Sequence, residues 1–424
     1  MVAWHLGSEE YELKKVANKL WITASAAIAV LGVAGGMIAC SDSSSTTKIA
    51  NGQIKHVFVI TLENENYSTT FGANTKSPYL AQTLVSQGAL LNQYYGTGHV
   101  SLDNYIAMVS GQAGTPQTIS DCSTYADFKQ TGSADYGQVV GQGCVYPASV
   151  LTIADQLKAA NFTWKGYMGD MGNDPSRESA TCGHPTLNAA DLTEAAEAPS
   201  ASVPAGDQYA TRHNPFMYFH SVIDSSDCPA NVVNLDSNLQ NDLASVSTTA
   251  NFNFITPSLC DDGHDAPCVD GRPGGLVSAD AFLKKWIPII QASPAYKDGL
   301  IIINFDESAA ASVSVDSNGD INAVYSGTTC CNQSEGPNLG AYPLKETFPY
   351  KGASYNLTYT SYGGDNTGAV LLSPFIKPGT VSDAPYNHYS LLRTEEDIFG
   401  LKDHLGYAGE PGLQSMGADV FNVK

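Results

Sequence analysis

Two largely apolar runs, HVFVITL (56–62) and GLIIINF (299–305), each stop abruptly on oxygen-bearing side chains. Glu63, Asn64, Glu65 and Asn66 follow the first, and Asp306 and Glu307 follow the second. Runs of this length and β-branched content predict strands buried on both faces, the kind found in parallel sheets covered by helices. NFNFITP (251–257), GAVLLSPF (368–375), ALLNQYY (89–95) and TWKGYM (163–168) are further strand candidates. Between them, residues 77–90, 148–162 and 387–401 carry helical spacing, with Gly near the end of the first and third. The alternation predicts an α/β fold with a mostly parallel central sheet and helices on both faces.

No repeat or clear linker divides residues 48–424, so 51–424 is expected to form a single domain. Two stretches look like insertions. Residues 113–147 hold Cys122 and Cys144 among Gly, Ser and Thr, and residues 309–362 are rich in Gly, Ser, Asn and Tyr and hold the adjacent Cys330 and Cys331. Loops this long serve as functional covers or pinned excursions more often than as empty linkers.

Lys14, Lys15 and Lys19 precede an apolar stretch from Leu20 to Ala39, the charged and apolar regions of an export signal. Met37-Ile38-Ala39-Cys40 has the form of a bacterial lipobox, and SDSSSTT (41–47) the form of a polar tether. Residues 1–40 are therefore expected to be a lipoprotein-type signal segment and 41–50 a flexible tether, with membrane attachment only through a lipid on Cys40. Soluble secretion and an uncleaved anchor remain open. Removing Cys40 from the nine cysteines leaves eight, an even set that suits up to four disulfides in an exported chain. None of their spacings forms a convincing zinc pattern.

Asp and Glu number 42 against 21 Lys and Arg, a formal net charge of -21. Such a chain is repelled by nucleic acid, and an anionic substrate needs a local metal ion or His cluster to be accepted.

In open parallel sheets, ligands gather at the carboxyl ends of strands. Glu63 and Asn64 stand at one such end and Asp306 and Glu307 at another. Carboxylates brought together repel unless protonated or bridged by a cation, and oxygen donors suit a divalent metal ion whose identity the residues leave open. Alternatively, these acids cap helices or sit in solvated loops. Ser101, in GHVSLDNY (98–105), precedes a helix-like segment, where it is either an anion-site nucleophile or a plain N-cap. His99 and Asn104 flank it. His213 in TRHNP, His264 in DDGHD and His388 in YNHYS stand in polar, turn-like settings where His ligates metal, holds phosphate or protonates a leaving group. A lone His of this kind is more commonly structural. Together the residues suit phosphoryl transfer through a phosphoserine.

With these residues in place, the chain resembles the phosphoesterase family of bacterial and fungal acid phosphatases and bacterial phospholipases C, within the alkaline phosphatase-like superfamily. The resemblance rests on seven ordered segments: IKHVFVITLENENYSTTFG (54–72), YYGTGHVSLDNYIAMVSG (94–111), YATRHNPFMYF (209–219), NFNFITPSLCDDGHD (251–265), GLIIINFDES (299–308), TGAVLLSPFIKPGT (367–380) and YNHYSLLRTEEDIFGL (386–401). It implies Ser101 as nucleophile, with Glu63, Asn64, Ser101, Asp306 and Glu307 around the metal. It implies His213, His264 and His388 near the phosphate, with His99 as the histidine of the acid phosphatase form of the nucleophile motif and Asn104 as its amide three residues after the serine, all five counted as candidate catalytic residues. The family often carries Pro on both sides of the nucleophile, where this chain has Val100 and Asp103. The H-x-S-x-x-N-Y and RHNP segments are closer to the acid phosphatases. The expected activity is an exported, metal-dependent phosphomonoesterase with an acidic to neutral optimum. The alternatives are a phospholipase C-type phosphodiesterase, a transferase of phosphoethanolamine or sulfate, and a non-catalytic surface lipoprotein.

Overall fold

A computed structural model of the chain describes residues 53–350 and 353–423. The signal segment, Cys40 and the tether lie outside the described residues. The centre is an eight-stranded sheet of β1 (His56–Leu62), β2 (Ala89–Leu91), β3 (Trp164–Met168), β4 (Val232–Asn234), β5 (Phe252–Thr256), β6 (Gly299–Phe305), β7 (Ala369–Leu372) and β8 (Thr380–Ser382). Its order is β8-β2-β7-β6-β1-β5-β3-β4. Neighbours are parallel except where β7 meets β6 and β2.

The two apolar runs form the middle of this sheet because their side chains are needed on both faces. In β1, Val57 and Val59 enter one core and Phe58, Ile60 and Leu62 the other. In β6, Leu300 and Ile302 go with the first group, and Ile301, Ile303 and Phe305 with the second. All ten are at most 1% exposed, and each such side chain contributes about 1.5–3 kcal/mol of burial free energy.

Helices α1 (Ser101–Ser110), α2 (Ile153–Ala159) and α4 (His388–Phe399) cover the first face, and α3 (Gly275–Ala292) covers the second. The predicted strand 89–95 divides. Ala89–Leu91 joins the large sheet, while Tyr94–Tyr95 pairs in parallel with Tyr386–Asn387. No helix among the described residues is long and apolar enough to cross a membrane.

Both predicted insertions have structure of their own. The first contains an antiparallel hairpin, Lys129–Ser133 with Val139–Gln142, and a Cys122–Cys144 disulfide. The second folds into a four-stranded sheet in the spatial order Ser312–Val315, Ile321–Tyr325, Ala353–Tyr359, Leu344–Tyr350. Cys182–Cys228, Cys260–Cys268 and the adjacent Cys330–Cys331 complete the four pairs.

Candidate active site

Strand register places the acids. Leu62 of β1 is paired with Phe305 of β6, so Glu63 and Asp306 leave neighbouring strands side by side. Asp306 N donates to Leu62 O at 2.9 Å, and Asn64 N donates to the Asp306 carboxylate at 3.0 Å. On the other side of β1, Glu63 N donates to Asp262 O at 2.9 Å, which brings in the loop after β5. Three strand ends thus converge where an open sheet binds its ligands.

Ser101 is the first residue of α1, fully buried, and the cap position belongs to Val100, which makes no side-chain cap bond. Val100 has φ 82°, a left-handed backbone unusual for a β-branched residue and a marker of local strain. The Ser101 hydroxyl faces the strand ends and donates to Glu63 Oε2 at 2.7 Å. Tyr105, one helical turn further on the same face, donates to Glu63 Oε1 at 2.6 Å. His213 stacks on the Tyr105 ring at 5.2 Å between centroids. Its Nε2 lies 3.3 Å from Glu63 Oε1 and its Nδ1 3.6 Å from Asp262 Oδ2. Glu63 is therefore the hub joining Ser101, Tyr105 and His213.

Glu307 is directed elsewhere. It accepts from Val100 N at 3.0 Å through Oε1 and bonds His99 Nδ1 through Oε2. The other His99 nitrogen meets Asp365 at 3.2 Å. Burial alone would lower the pKa of His99, but Glu307 and Asp365 outweigh it and raise it to about 9. Asn104 is occupied by the loop that leads to the serine. Its Oδ1 accepts from Thr97 N at 2.8 Å and Gly98 N at 3.0 Å, and its Nδ2 donates to Gly98 O at 3.1 Å.

His264 pairs with Asp265 at 2.9 Å. Burial disfavours its charge, but Asp265 and Asp262 prevail and raise its pKa to about 9. His388 is buried against the Asp306 carbonyl and Tyr94 Oη, the latter at 2.9 Å, and burial lowers its pKa to about 4.

Glu63 is pushed well above the carboxylate range by burial, then by Asp306 and Asp262. Asp306 rises to about 8 through burial and Glu307. Buried carboxylates that raise one another in this way are the electrostatic situation a divalent cation relieves, and oxygen donors suit a hard ion. The donor types fit such an ion: Glu63 is bonded to Ser101, and Asp306 to the Asn64 backbone beside it, with Glu307 engaged by the serine loop. The carboxylates are not closely gathered. Among the described residues, the one trio of His, Cys and acidic ligand atoms lying within 4.8 Å of one another is Cys260, Cys268 and Asp270, whose sulfurs are joined to each other.

Four contributors escaped the sequence reading. Tyr105 lies four residues beyond Ser101, a helical spacing that could have flagged it. Asp262 lies two residues before His264. Asp121 accepts from Leu102 N at 3.1 Å and so bears on the first turn of α1, with Arg212 at 3.6 Å from its carboxylate. Asp365 sits in a polar loop with no local signal.

The model of the Phosphoesterase family matches residues 73–402, a span that includes Ser101, Asp306 and all four candidate histidines but begins after Glu63 and Asn64. A probable acid phosphatase of Kluyveromyces lactis is 23% identical over 377 residues, 88% of this chain and 65% of that protein. This chain thus spans less than two thirds of the yeast relative. A phosphatidylinositol-3-phosphatase of Mycobacterium tuberculosis is 21% identical over 387 residues, 90% of each chain. A solved protein of the alkaline phosphatase superfamily from Vibrio parahaemolyticus aligns with TM-score 0.45 and 12% identity over 85% of this chain and 71% of its own.

Proposed function

Because this chain belongs to the phosphoesterase family, we propose that it is an exported, metal-dependent phosphomonoesterase that works through a phosphoserine at Ser101. The observation that carries the proposal is the Ser101 hydroxyl donating to Glu63 at 2.7 Å, at the meeting point of three strand ends. A serine that merely capped its helix would accept from a backbone N–H instead.

Glu63, Asn64, Ser101 and Asp306 would hold the metal ion. When bound, it would supply positive charge for the phosphate oxygens and lower the pKa of the serine hydroxyl. Ser101 Oγ forms the bond to phosphorus, the bond from phosphorus to the ester oxygen breaks, and the hydroxyl proton passes toward Glu63 Oε2. The departing alkoxide needs a proton. His264, held cationic by Asp265 and Asp262, is the candidate donor. Water then attacks the phosphoserine, releasing phosphate and restoring the hydroxyl. His213 stands against Glu63 and Tyr105. His99 and Asn104 fix the loop that presents Ser101, and His388 braces the Asp306 backbone.

The names of the yeast and mycobacterial relatives support a monoester substrate. Four disulfides support an oxidising destination, in keeping with the signal segment and a lipid at Cys40. His264, with a pKa of about 9, is protonated throughout the acidic to neutral range in which the optimum is proposed, and a profile peaking well above about pH 8 contradicts that optimum.

The test is hydrolysis of p-nitrophenyl phosphate by the full chain, by Ser101→Ala and in the presence of EDTA. Turnover by the wild type that is lost in both other cases supports the proposal. Full activity of Ser101→Ala overturns the nucleophile. An inactive wild type that cleaves a phosphocholine diester points to the phospholipase C alternative.

A further inference from the structure

We infer that Asp121, carried by the first insertion, is a positioning residue that anchors the helix presenting Ser101. The inference rests on the reading of Ser101 as the nucleophile, and it gives the insertion a part in that site.

The bonds around the start of α1 form two matched chains. In one, the Ser101 hydroxyl donates to Glu63 Oε2, and Glu63 Oε1 lies 3.3 Å from His213 Nε2. In the other, the main-chain N–H of Leu102 donates to Asp121 Oδ1 at 3.1 Å, and Asp121 Oδ2 lies 3.6 Å from Arg212 Nε. Two consecutive residues of the TRHNP segment thus back two carboxylates, which hold two consecutive residues of α1. The first chain meets the reacting oxygen. The second meets backbone, so Asp121 acts through the helix.

The second chain is built into the interior. Asp121 and Arg212 are each 4% exposed, and Arg212 is steadied by its Nη1 donating to Glu194 O at 3.2 Å. Asp121 has φ 50° and Cys122 φ 54°, two left-handed residues in succession without a glycine. Asp121 N donates to Thr118 O at 3.2 Å and Cys122 N to Gln117 O at 2.8 Å, which closes the turn. The Cys122–Cys144 disulfide then fastens the residue after Asp121 to the far side of the insertion. Backbone of this kind persists only where its surroundings over-determine it, and here it turns a carboxylate onto the serine helix.

The start of a helix leaves N–H groups without partners inside the helix, and such groups can bind an anion. At the start of α1 two of them are engaged by the protein's own carboxylates: Val100 N by Glu307 at 3.0 Å and Leu102 N by Asp121. Ser101 lies between these two anchors, so its backbone is held from both sides. Val100, at the cap position, makes no side-chain bond that could do the work of Asp121. The bond to Leu102 N needs an acceptor and not a charge, which separates the role of Asp121 from any role of its ionisation.

The test compares Asp121→Gly with Asp121→Asn in the full chain. Glycine takes the left-handed backbone without strain and removes the side chain, while Asn also tolerates that backbone and keeps an oxygen for Leu102 N. With p-nitrophenyl phosphate, Asp121→Gly should lose about tenfold or more in kcat with KM little changed, and Asp121→Asn should recover most of that loss. Hydrogen exchange supplies a readout that needs no turnover. The Leu102 amide should exchange about tenfold or more faster in Asp121→Gly and near the wild-type rate in Asp121→Asn. Wild-type kcat in Asp121→Gly, equal losses in the two variants, or unchanged exchange overturns the inference. So does a lowered KM with kcat intact in Asp121→Gly, which would show that Asp121 obstructs the substrate. If the wild type does not turn over, or Ser101→Ala stays fully active, the nucleophile reading fails. The exchange rates then decide by themselves whether Asp121 anchors the helix.

Discussion

The main-chain N–H of Asn64 donates to the carboxylate of Asp306 at 3.0 Å, tying together the ends of two parallel strands 242 residues apart in the chain. The bond needs an acceptor at Asp306 but not a charge, so Asp306→Asn can keep the fold while removing half of the opposed charge beside Glu63. The expected outcome is an unchanged circular dichroism spectrum, loss of bound divalent metal by emission spectrometry, and turnover reduced by at least about 100-fold. Metal content and turnover equal to wild type would remove Asp306 from the metal site.

Asn104 braces the serine loop from within α1. Replacing it with Ala leaves the buried N–H groups of Thr97 and Gly98 without their acceptor, bonds now 2.8 and 3.0 Å long. Two unsatisfied donors cost about 2–6 kcal/mol, readable by urea denaturation. Since the loop carries His99 and Ser101, kcat should fall while KM changes little. Wild-type stability and kcat in Asn104→Ala would show that the loop holds its shape unaided.

Much of this architecture is visible in the sequence because β1 and β6 are buried on both faces, which forces seven-residue apolar runs. The acids and amides directly after those runs are equally visible. That Glu63 and Asp306 are neighbours is not, because strand order is set by tertiary packing. The run 369–372 carries no sign of direction, and β7 proves antiparallel to β6. Helix α3 was missed; its apolar stripe is interrupted by Pro288, and it begins at adjacent glycines. The second insertion resembled a loop because its strands alternate weakly, and its two local pairs become one sheet only where Ile321–Tyr325 meets Ala353–Tyr359, about 30 residues away. At the site, Ser101 could be named while its orientation could not. A cap and a nucleophile look identical in sequence, and the bond to Glu63 is the observation that favours the second reading. Asn104, a candidate for the phosphate, is spent on backbone for a reason no local pattern encodes.

The disulfides differ in the chain they close. Cys182–Cys228 spans 46 residues and Cys260–Cys268 spans 8. On the loop-entropy account, the longer link restrains the unfolded chain more, by about 1.5 kcal/mol. The double variant Cys182→Ser/Cys228→Ser should therefore lose more stability than Cys260→Ser/Cys268→Ser in parallel urea titrations. The reverse order would locate the effect in native-state contacts around Cys260.

Glu396 links stability to pH at a position remote from the proposed catalytic serine. It lies on α4 with one oxygen accepting from Leu405 N at 2.8 Å and the other buried without a donor. Burial raises its pKa from 4.5 to about 8, despite that bond. The folded state therefore holds a proton that the unfolded chain has already released between these values. The resulting stability is fully present below 4.5 and is lost as the pH rises through about 8. The slope for one such proton is at most about 1.4 kcal/mol per pH unit. Glu396→Gln copies the protonated form and keeps an acceptor for Leu405 N. Melting curves of the two proteins should coincide near pH 4.5 and separate toward pH 8, with the variant the more stable. Parallel curves across that range would mean that Glu396 is already ionised in the folded chain, its charge met by Leu405 N–H.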